Sequence, residues 1–405
     1  MFSSLILREF SRTTRRAFSC STVSRAPGRV IFSGIQPTGV PHVSIELNLS
    51  AFCFANEIAQ LGNYLGALSN WVKLQKTAAP DDELLFSIVG WHALTLPQDP
   101  ETLATSRRDL LATLLAIGLD PKRSVLFHQD HVCAKLSGRD PFLSLSQNQA
   151  HTELAWILNC ITPIGKLRRM TTWKTRLAAS RNANNESEVD ESLLNAGLFT
   201  YPVLQAADIL AYRATHVPVG EDQTQHLELC RDLADIFNRT FPSSRPLFHL
   251  PSQLNTISRR ILSLRDPTSK MSKSSPDLQS RILLTDTEAQ IKSKIRSAVT
   301  DSIVGITYDP VARPGTSNLL TILAACTDDD VSEVVRRYEG KGHGHLKEDV
   351  AEAVEEMIKG PRAEFERIRH ETAFLEEVAR SGAEKARDRS EITMTQVRER
   401  LGLRR

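Results

Sequence analysis

An α/β domain on a parallel sheet, followed by an α-helical region, is the fold class this sequence predicts, and three observations predict it. Leu84-Leu85-Phe86-Ser87-Ile88-Val89 is a continuous apolar run ending at Gly90, the pattern of a strand buried on both faces. Glycine closes each strand-like run: Gly34 after Val30-Ile31-Phe32-Ser33, Gly90 after Val89 with His92 two residues on, and Gly220 after Val217-Pro218-Val219. Open α/β sheets place their ligands at such carboxyl ends. Beyond Leu284 the period changes, and Val350, Val354, Met357 and Ile358 recur at helical spacing.

Taken in order, the first eighteen residues carry Arg8, Arg12, Arg15 and Arg16 against Glu9 alone, with hydroxyl and apolar residues between. That composition predicts a mitochondrial transit peptide over 1–28, with Arg16-Ala17-Phe18-Ser19 as a processing site; a basic RNA-binding tail is the alternative. The first strand then leads into Gly34-Ile35-Gln36-Pro37-Thr38-Gly39. Glycine after a strand lets backbone approach a phosphate, and a following helix N-terminus supplies N–H donors. Gly34 and Gly39 have Walker-loop spacing, but Val40 stands where that loop needs lysine, which argues against a P-loop. Leu61, Leu65 and Leu68 share one helical face. Helices are expected over Ser106 to Ile117 and Thr152 to Cys160, and another starts within Glu221-Asp222-Gln223-Thr224-Gln225-His226. In the C-terminal region Pro361 is expected to open a helix and Gly382 to close it. The expected division is a catalytic domain over 29–285 and a helical region over 286–405.

With 405 residues, 41% of them hydrophobic, the chain can bury two domains. No apolar run reaches the roughly 20 residues that span a bilayer. Without residues 1–18 the formal charge falls from +2 to −1, so RNA contacts must come from local patches. The six cysteines, at 20, 53, 133, 160, 230 and 326, show no C-x-x-C spacing, and neither zinc nor a disulfide framework is indicated. His343-Gly344-His345 reads as a solvated glycine-rich turn and not as a metal site.

The segment with most chemistry is Asp266-Pro267-Thr268-Ser269-Lys270-Met271-Ser272-Lys273-Ser274. Asp-Pro begins it as a turn. Two lysines three residues apart, interleaved with hydroxyls, suit a polyphosphate whose charge grows on a leaving group. The string Lys-Met-Ser-Lys-Ser resembles the second signature of class I aminoacyl-tRNA synthetases. The first signature is present in two pieces, Pro41-His42 and Leu61-Gly62-Asn63-Tyr64, and resembles the tryptophanyl branch of that class. Gly197-Leu198-Phe199-Thr200-Tyr201-Pro202-Val203-Leu204-Gln205-Ala206-Ala207-Asp208 and Gly382-Ala383-Glu384-Lys385-Ala386-Arg387 match the same branch. The resemblance runs from Val30 to Leu403 and is nearest the fungal mitochondrial type.

Two interruptions break it, at 43–60 and 132–147. Both begin with Val and end with Gln. Val43-Ser44 permits the codon string GTAAGT, Val132-Cys133 permits GTATGT, and Ala55-Asn56 permits CTAAC. They are therefore read as retained short introns, with genuine lineage-specific loops as the alternative.

The resemblance implies a Rossmann-like catalytic domain followed by an α-helical tRNA anticodon-binding region. It implies ATP-dependent ligation of L-tryptophan to mitochondrial tRNA(Trp) through a tryptophanyl-adenylate. By the same resemblance Gly34 and Gln36 approach the α-phosphate, while His42, Gly62 and Asn63 hold ATP, with Asp222 near the nucleotide. Lys270, Met271, Ser272 and Lys273 close on the β and γ phosphates and Lys174 assists. Mg2+ bridges the phosphates. Tyr201 and Gln223 contact the amino acid's amine and carboxylate, and Asp208 takes the indole N–H. That last assignment has a physical argument: indole N–H is a donor with no acceptor capacity, and a carboxylate in an apolar pocket rewards it while rejecting phenylalanine. A helix N-cap or an interdomain salt bridge is the other reading of Asp208.

Departures are visible too. Gly90-Trp91 stands where many relatives carry Asp-Leu, which implies loss of an acidic group there, and Ser269 replaces a common lysine. Arg336, Arg337, Tyr338 and Lys341, with Arg362, Arg367 and Arg369, offer charge and an aromatic platform for tRNA, or a solvated helix face. A homodimer in the mitochondrial matrix, with no membrane contact, is the expected setting. Rival readings are a tyrosyl-specific relative, a nucleotidyltransferase of cofactor synthesis, and a non-catalytic synthetase-like RNA-binding protein, the last gaining if 43–60 is translated.

Overall fold

A computed structural model describes residues 28–37, 61–131, 149–170, 173–174, 194–220, 223–255, 261–271, 275 and 277–404, the side chains of Asn63, Gly66, Ala67, Gln149 and Asn255 excepted. Its sheet holds five parallel strands in the order β3-β2-β1-β4-β5: β1 Val30–Ile35, β2 Glu83–Ile88, β3 Val125–His128, β4 His216–Val219 and β5 Ser252–Asn255. β1 pairs with β2 on one side and β4 on the other. The order therefore reverses beside β1, the switch point where doubly wound sheets bind ligands.

Side chains alternate across the sheet. Ile31, Leu84, Phe86, Ile88 and Leu126 belong to one hydrophobic cluster, and Phe32, Leu85 and Phe127 to a second. Leu84 to Ile88 bury on both faces, as the apolar run requires.

The first face is covered by α1 (Leu61–Asn63), a π-helical turn over Tyr64–Leu68, α2 (Ser69–Thr77) and α4 (Pro100–Ala116). Between the last two lies the short α3 (Gly90–Ala93). Leu61, Leu65 and Leu68 are all buried. α4 begins six residues before the expected Ser106, because Asp99 caps it, accepting from the Thr102 N–H at 2.8 Å, and Pro100 supplies a preset first φ.

The second face carries α5 (Gln149–Ile161), α6 (Ile164–Arg168), α7 (Ala196–Ala211) and α8 (Thr224–Thr240). Beyond β5, α9 (Glu288–Arg296) opens with a capping box between Thr287 and Gln290. α10 (Pro314–Thr327), α11 (Val331–Arg336), α12 (His343–Ile368) and α13 (Thr372–Arg400) complete the chain. Among the described residues no helix is long and apolar enough to cross a membrane.

Three local expectations in this region are corrected. Pro361 lies inside α12 and does not begin a helix. The interruption, about 3 kcal/mol in a helix interior, is outweighed by the continuous buried face of Val354, Ile358 and Phe365, and Arg362 pairs with Glu355 across it. Gly382 lies inside α13 and terminates nothing; a Cβ there would stand 1.7 Å from the Leu126 carbonyl oxygen. Glycine is needed because the helix lies directly on the β3 backbone, so the last helix belongs to the catalytic sheet's packing. His343-Gly344-His345 forms the first turn of α12, with His343 Nε2 3.1 Å from Thr316 Oγ1.

Tyr338 is no exposed platform. It is 2% exposed, and its hydroxyl donates to Asp349 at 2.6 Å. Arg367 pairs with Glu364, and Arg369 lies 3.5 Å from Asp109.

Candidate active site

The carboxyl ends of β1, β2 and β3 each deliver one polar side chain to the same place. Gln36 follows β1, His92 lies in α3 after β2, and Gln129 follows β3. Gln36 Nε2 donates to the His92 carbonyl at 2.6 Å. Asp208, in the interior of α7 and 2% exposed, accepts from His92 Nε2 at 2.8 Å, Gln129 Nε2 at 2.6 Å and His151 Nδ1 at 2.7 Å. Gln129 is fixed the right way round, because its Oε1 accepts the Trp91 N–H at 3.0 Å.

Burial alone opposes charge on Asp208, but the bonds from His151 and His92 outweigh it and hold its carboxyl at about 2. Asp208 is therefore neither an N-cap nor an interdomain ion pair. Its surroundings also differ from the apolar pocket expected. The walls are apolar, yet the carboxylate is held by three polar side chains that helical periodicity does not bring together.

Beside it, Tyr201 is 3% exposed and its hydroxyl lies 3.2 Å from His226 Nε2. His226 Nδ1 lies 2.8 Å from Gln223 Oε1. One histidine thus ties together the two residues expected at the amino acid's polar end. The His92 and Tyr201 rings meet edge to face at 6.4 Å, so these groups adjoin the Asp208 cluster.

The two segments expected at the phosphates come from distant parts of the chain and meet. Gly62 packs on the second segment: a Cβ there would lie 3.6 Å from Met271 Cβ and 3.8 Å from Ile261 Cβ. Leu61 N–H donates to the Ile282 carbonyl at 2.8 Å. Met271 is 1% exposed while Lys270 next to it is exposed, and Lys270 forms an antiparallel bridge with Leu262. The alternation anchors the loop by its methionine and leaves the ammonium to solvent. Gly34 is exposed at the end of β1, where a Cβ would press Val89 Cγ1 at 2.9 Å. Lys174 stands 5.3 Å over the Trp173 ring, which packs against Phe199 near the start of α7. His42, Asp222, Ser272, Lys273 and both interruptions lie outside the described residues, as does the Asn63 side chain.

An acidic side chain does stand beside Gly90, from the turn after β3. A Cβ on Gly90 would sit 2.6 Å from Asp130 Oδ1, and Asp130 pairs with Arg107. Sequence reasoning missed Gln129, His151, Tyr212 and His226 as site residues. Polar groups inside apolar helical stretches were the available signal, since such groups need buried partners. The π turn after Asn63 was missed as well; π turns concentrate at functional sites.

The family described as class I tRNA synthetases (W and Y) matches residues 58–359. A tryptophan–tRNA ligase of Mycobacterium leprae is 43% identical over 92% of this chain and 96% of its own length. A mitochondrial tryptophan–tRNA ligase of Schizosaccharomyces pombe is 38% identical, over 94% and 97%. Among solved structures, the tryptophanyl-tRNA synthetase of Campylobacter jejuni complexed with ADP and tryptophan superposes with a TM-score of 0.67 at 30% identity, covering 92% of this chain and 99% of that one.

Proposed function

The chain belongs to the class I tRNA synthetases of the W and Y group, and from that premise we infer that it attaches L-tryptophan to tRNA at the expense of ATP. One observation carries the reading: Gly62 of the first signature and Met271 of the second, far apart in sequence, pack together, while residues after β2 and β3 converge on Asp208. That packing supports a nucleotide site built from both signatures, with the amino acid bound at Asp208.

In the first step a tryptophan carboxylate oxygen forms a bond to the α-phosphorus, the bond to the bridging oxygen breaks, and pyrophosphate leaves with the electron pair. In the second, the tRNA 3′-terminal ribose hydroxyl takes the acyl group and AMP departs. No protein nucleophile takes part; the work is alignment and charge neutralisation. Asp208 accepts the indole N–H, and Tyr201 and Gln223 face the amine and carboxylate. Gly34 and Gln36 border the α-phosphate, with His42, Gly62, Asn63 and Asp222 about the rest of the nucleotide. Lys270, Met271, Ser272 and Lys273 form the loop on the outer phosphates, with Lys174 assisting. Among the described residues no group of three His, Cys, Asp or Glu side chains is gathered for a metal. By the family resemblance a magnesium ion would be held mainly by the phosphates, where it would offset their charge.

The proposed setting is the mitochondrial matrix, with mitochondrial tRNA(Trp) as acceptor. The arginine-rich segment within 1–28 and the mitochondrial relative support it. The domain division at about residue 285 belongs to the same proposal. A homodimer is proposed on the family resemblance alone. Residues 43–60 and 132–147 are proposed to be retained introns. The family match begins only at residue 58, although Gly34–Gln36 lie upstream of it, and the first segment separates His42 from Asn63. Sequencing the mature transcript tests this; a message encoding Phe52-Cys53-Phe54 refutes it. The activity is tested by ATP–pyrophosphate exchange on protein lacking both segments. Exchange driven by tryptophan and not tyrosine is expected, and exchange driven by tyrosine refutes the assignment.

A further inference from the structure

We propose that His151, oriented by Tyr212, is a positioning residue that sets amino-acid choice by leaving Asp208 a single acceptor site for the indole N–H. The proposal rests on the reading of Asp208 as the indole acceptor.

An ionised carboxylate accepts only, with about four lone-pair sites on its two oxygens. Oδ1 takes two bonds, from Gln129 Nε2 at 2.6 Å and His151 Nδ1 at 2.7 Å. Oδ2 takes one, from His92 Nε2 at 2.8 Å. Among the described residues, that filling directs the remaining capacity to one lone pair on Oδ2.

The direction of the chain behind His151 is settled by Tyr212. Its side chain is fully buried, and burial, followed by the nearby Asp208 charge, pushes its phenol well above the usual range, so the hydroxyl keeps its proton. A buried O–H must donate, and His151 Nε2 lies 2.8 Å away. Nε2 therefore accepts, and the imidazole proton sits on Nδ1, facing Asp208. Phe32 stacks on Tyr212 at 5.5 Å and Phe127 meets it edge to face at 5.6 Å, which fixes the phenol. Tyr212 O–H to His151, and His151 N–H to Asp208, is thus a one-way relay. It occupies Oδ1 and holds the carboxylate plane so that Oδ2 presents its open site.

The experiment compares two substitutions that keep opposite ends of the imidazole. His151→Asn retains an amide near the Nδ1 position, toward Asp208; His151→Gln places its amide near Nε2, toward Tyr212. Each variant is assayed by ATP–pyrophosphate exchange with tryptophan and with β-(3-benzothienyl)alanine, in which sulfur replaces the indole N–H. A charge-assisted hydrogen bond predicts that the unsubstituted protein prefers tryptophan in kcat/KM by about 10- to 100-fold. H151N should keep that ratio to within about threefold, and H151Q should lower it about tenfold by raising the tryptophan KM alone. Equal ratios in both variants overturn the positioning role, because a space-filling histidine affects both substrates alike. A ratio near one in the unsubstituted protein overturns the indole role of Asp208 instead, which separates the two failures.

Discussion

Replacing Gly382 by alanine should destabilise the protein, although the same change in most helices stabilises it. Alanine is favoured over glycine by about 1 kcal/mol in a helix interior. At Gly382, however, the new Cβ would lie 1.7 Å from Leu126 O, 2.7 Å from Leu126 C and 3.4 Å from Phe127 Cβ. Real contacts of this kind stay beyond about 3 Å, so α13 must retreat from β3 by more than an ångström. The obstacle is backbone within a sheet, which cannot rotate aside. Overpacking of this severity costs about 3 kcal/mol or more, leaving a net loss of about 2 kcal/mol after the propensity gain. The damage should also reach the site, because β3 leads directly into Gln129, which donates to Asp208. Urea unfolding followed by circular dichroism measures the first effect and the tryptophan KM in pyrophosphate exchange the second. Gly344→Ala, in the first turn of α12 with nothing within 4 Å of its Cβ, is the control and should be neutral or slightly stabilising. If both variants shift stability in the same direction, the close approach of α13 to β3 is wrong.

Asp208→Asn should raise the tryptophan KM by about 10- to 100-fold while leaving the ATP KM within about threefold, since an amide N–H replaces one acceptor oxygen; an unchanged tryptophan KM refutes the indole assignment. Lys270→Ala should lower kcat by about 100-fold or more with an unchanged unfolding midpoint, because its side chain is exposed and its bridge to Leu262 is made by backbone, which alanine keeps; a lowered midpoint would show a structural role. Acid should destabilise the protein as pH falls from about 4 to about 2. The Arg29 hydrogen bond holds Asp82 at about 2, and the His151 and His92 bonds hold Asp208 there against its burial. A depressed carboxyl adds stability above its unfolded value and loses it as protons bind on descent. Unfolding curves across that range test this, and Asp82→Asn should flatten them.

The class of fold, the order of strand and helix, and the two signature segments were legible in one dimension. Apolar runs, helical spacing and turn residues are local properties, and they report burial directly. The buried strand Leu84 to Ile88 and the face of Leu61, Leu65 and Leu68 were readable for that reason. Helix ends were less so. Pro361 and Gly382 are breakers by local propensity, but the packing of Val354, Ile358 and Phe365, and the backbone of β3, overrule them.

Only the tertiary structure decided who surrounds Asp208. Its donors come from a helix after β2, the end of β3 and α5, which share no sequence period, and meet because parallel strands deliver their carboxyl ends to one edge. The presence of Asp130 beside Gly90 was hidden for the same reason. A sequence states which side chains want burial or charge. Which of them satisfies another is a matter of three-dimensional distance, and that is set when the sheet orders its strands.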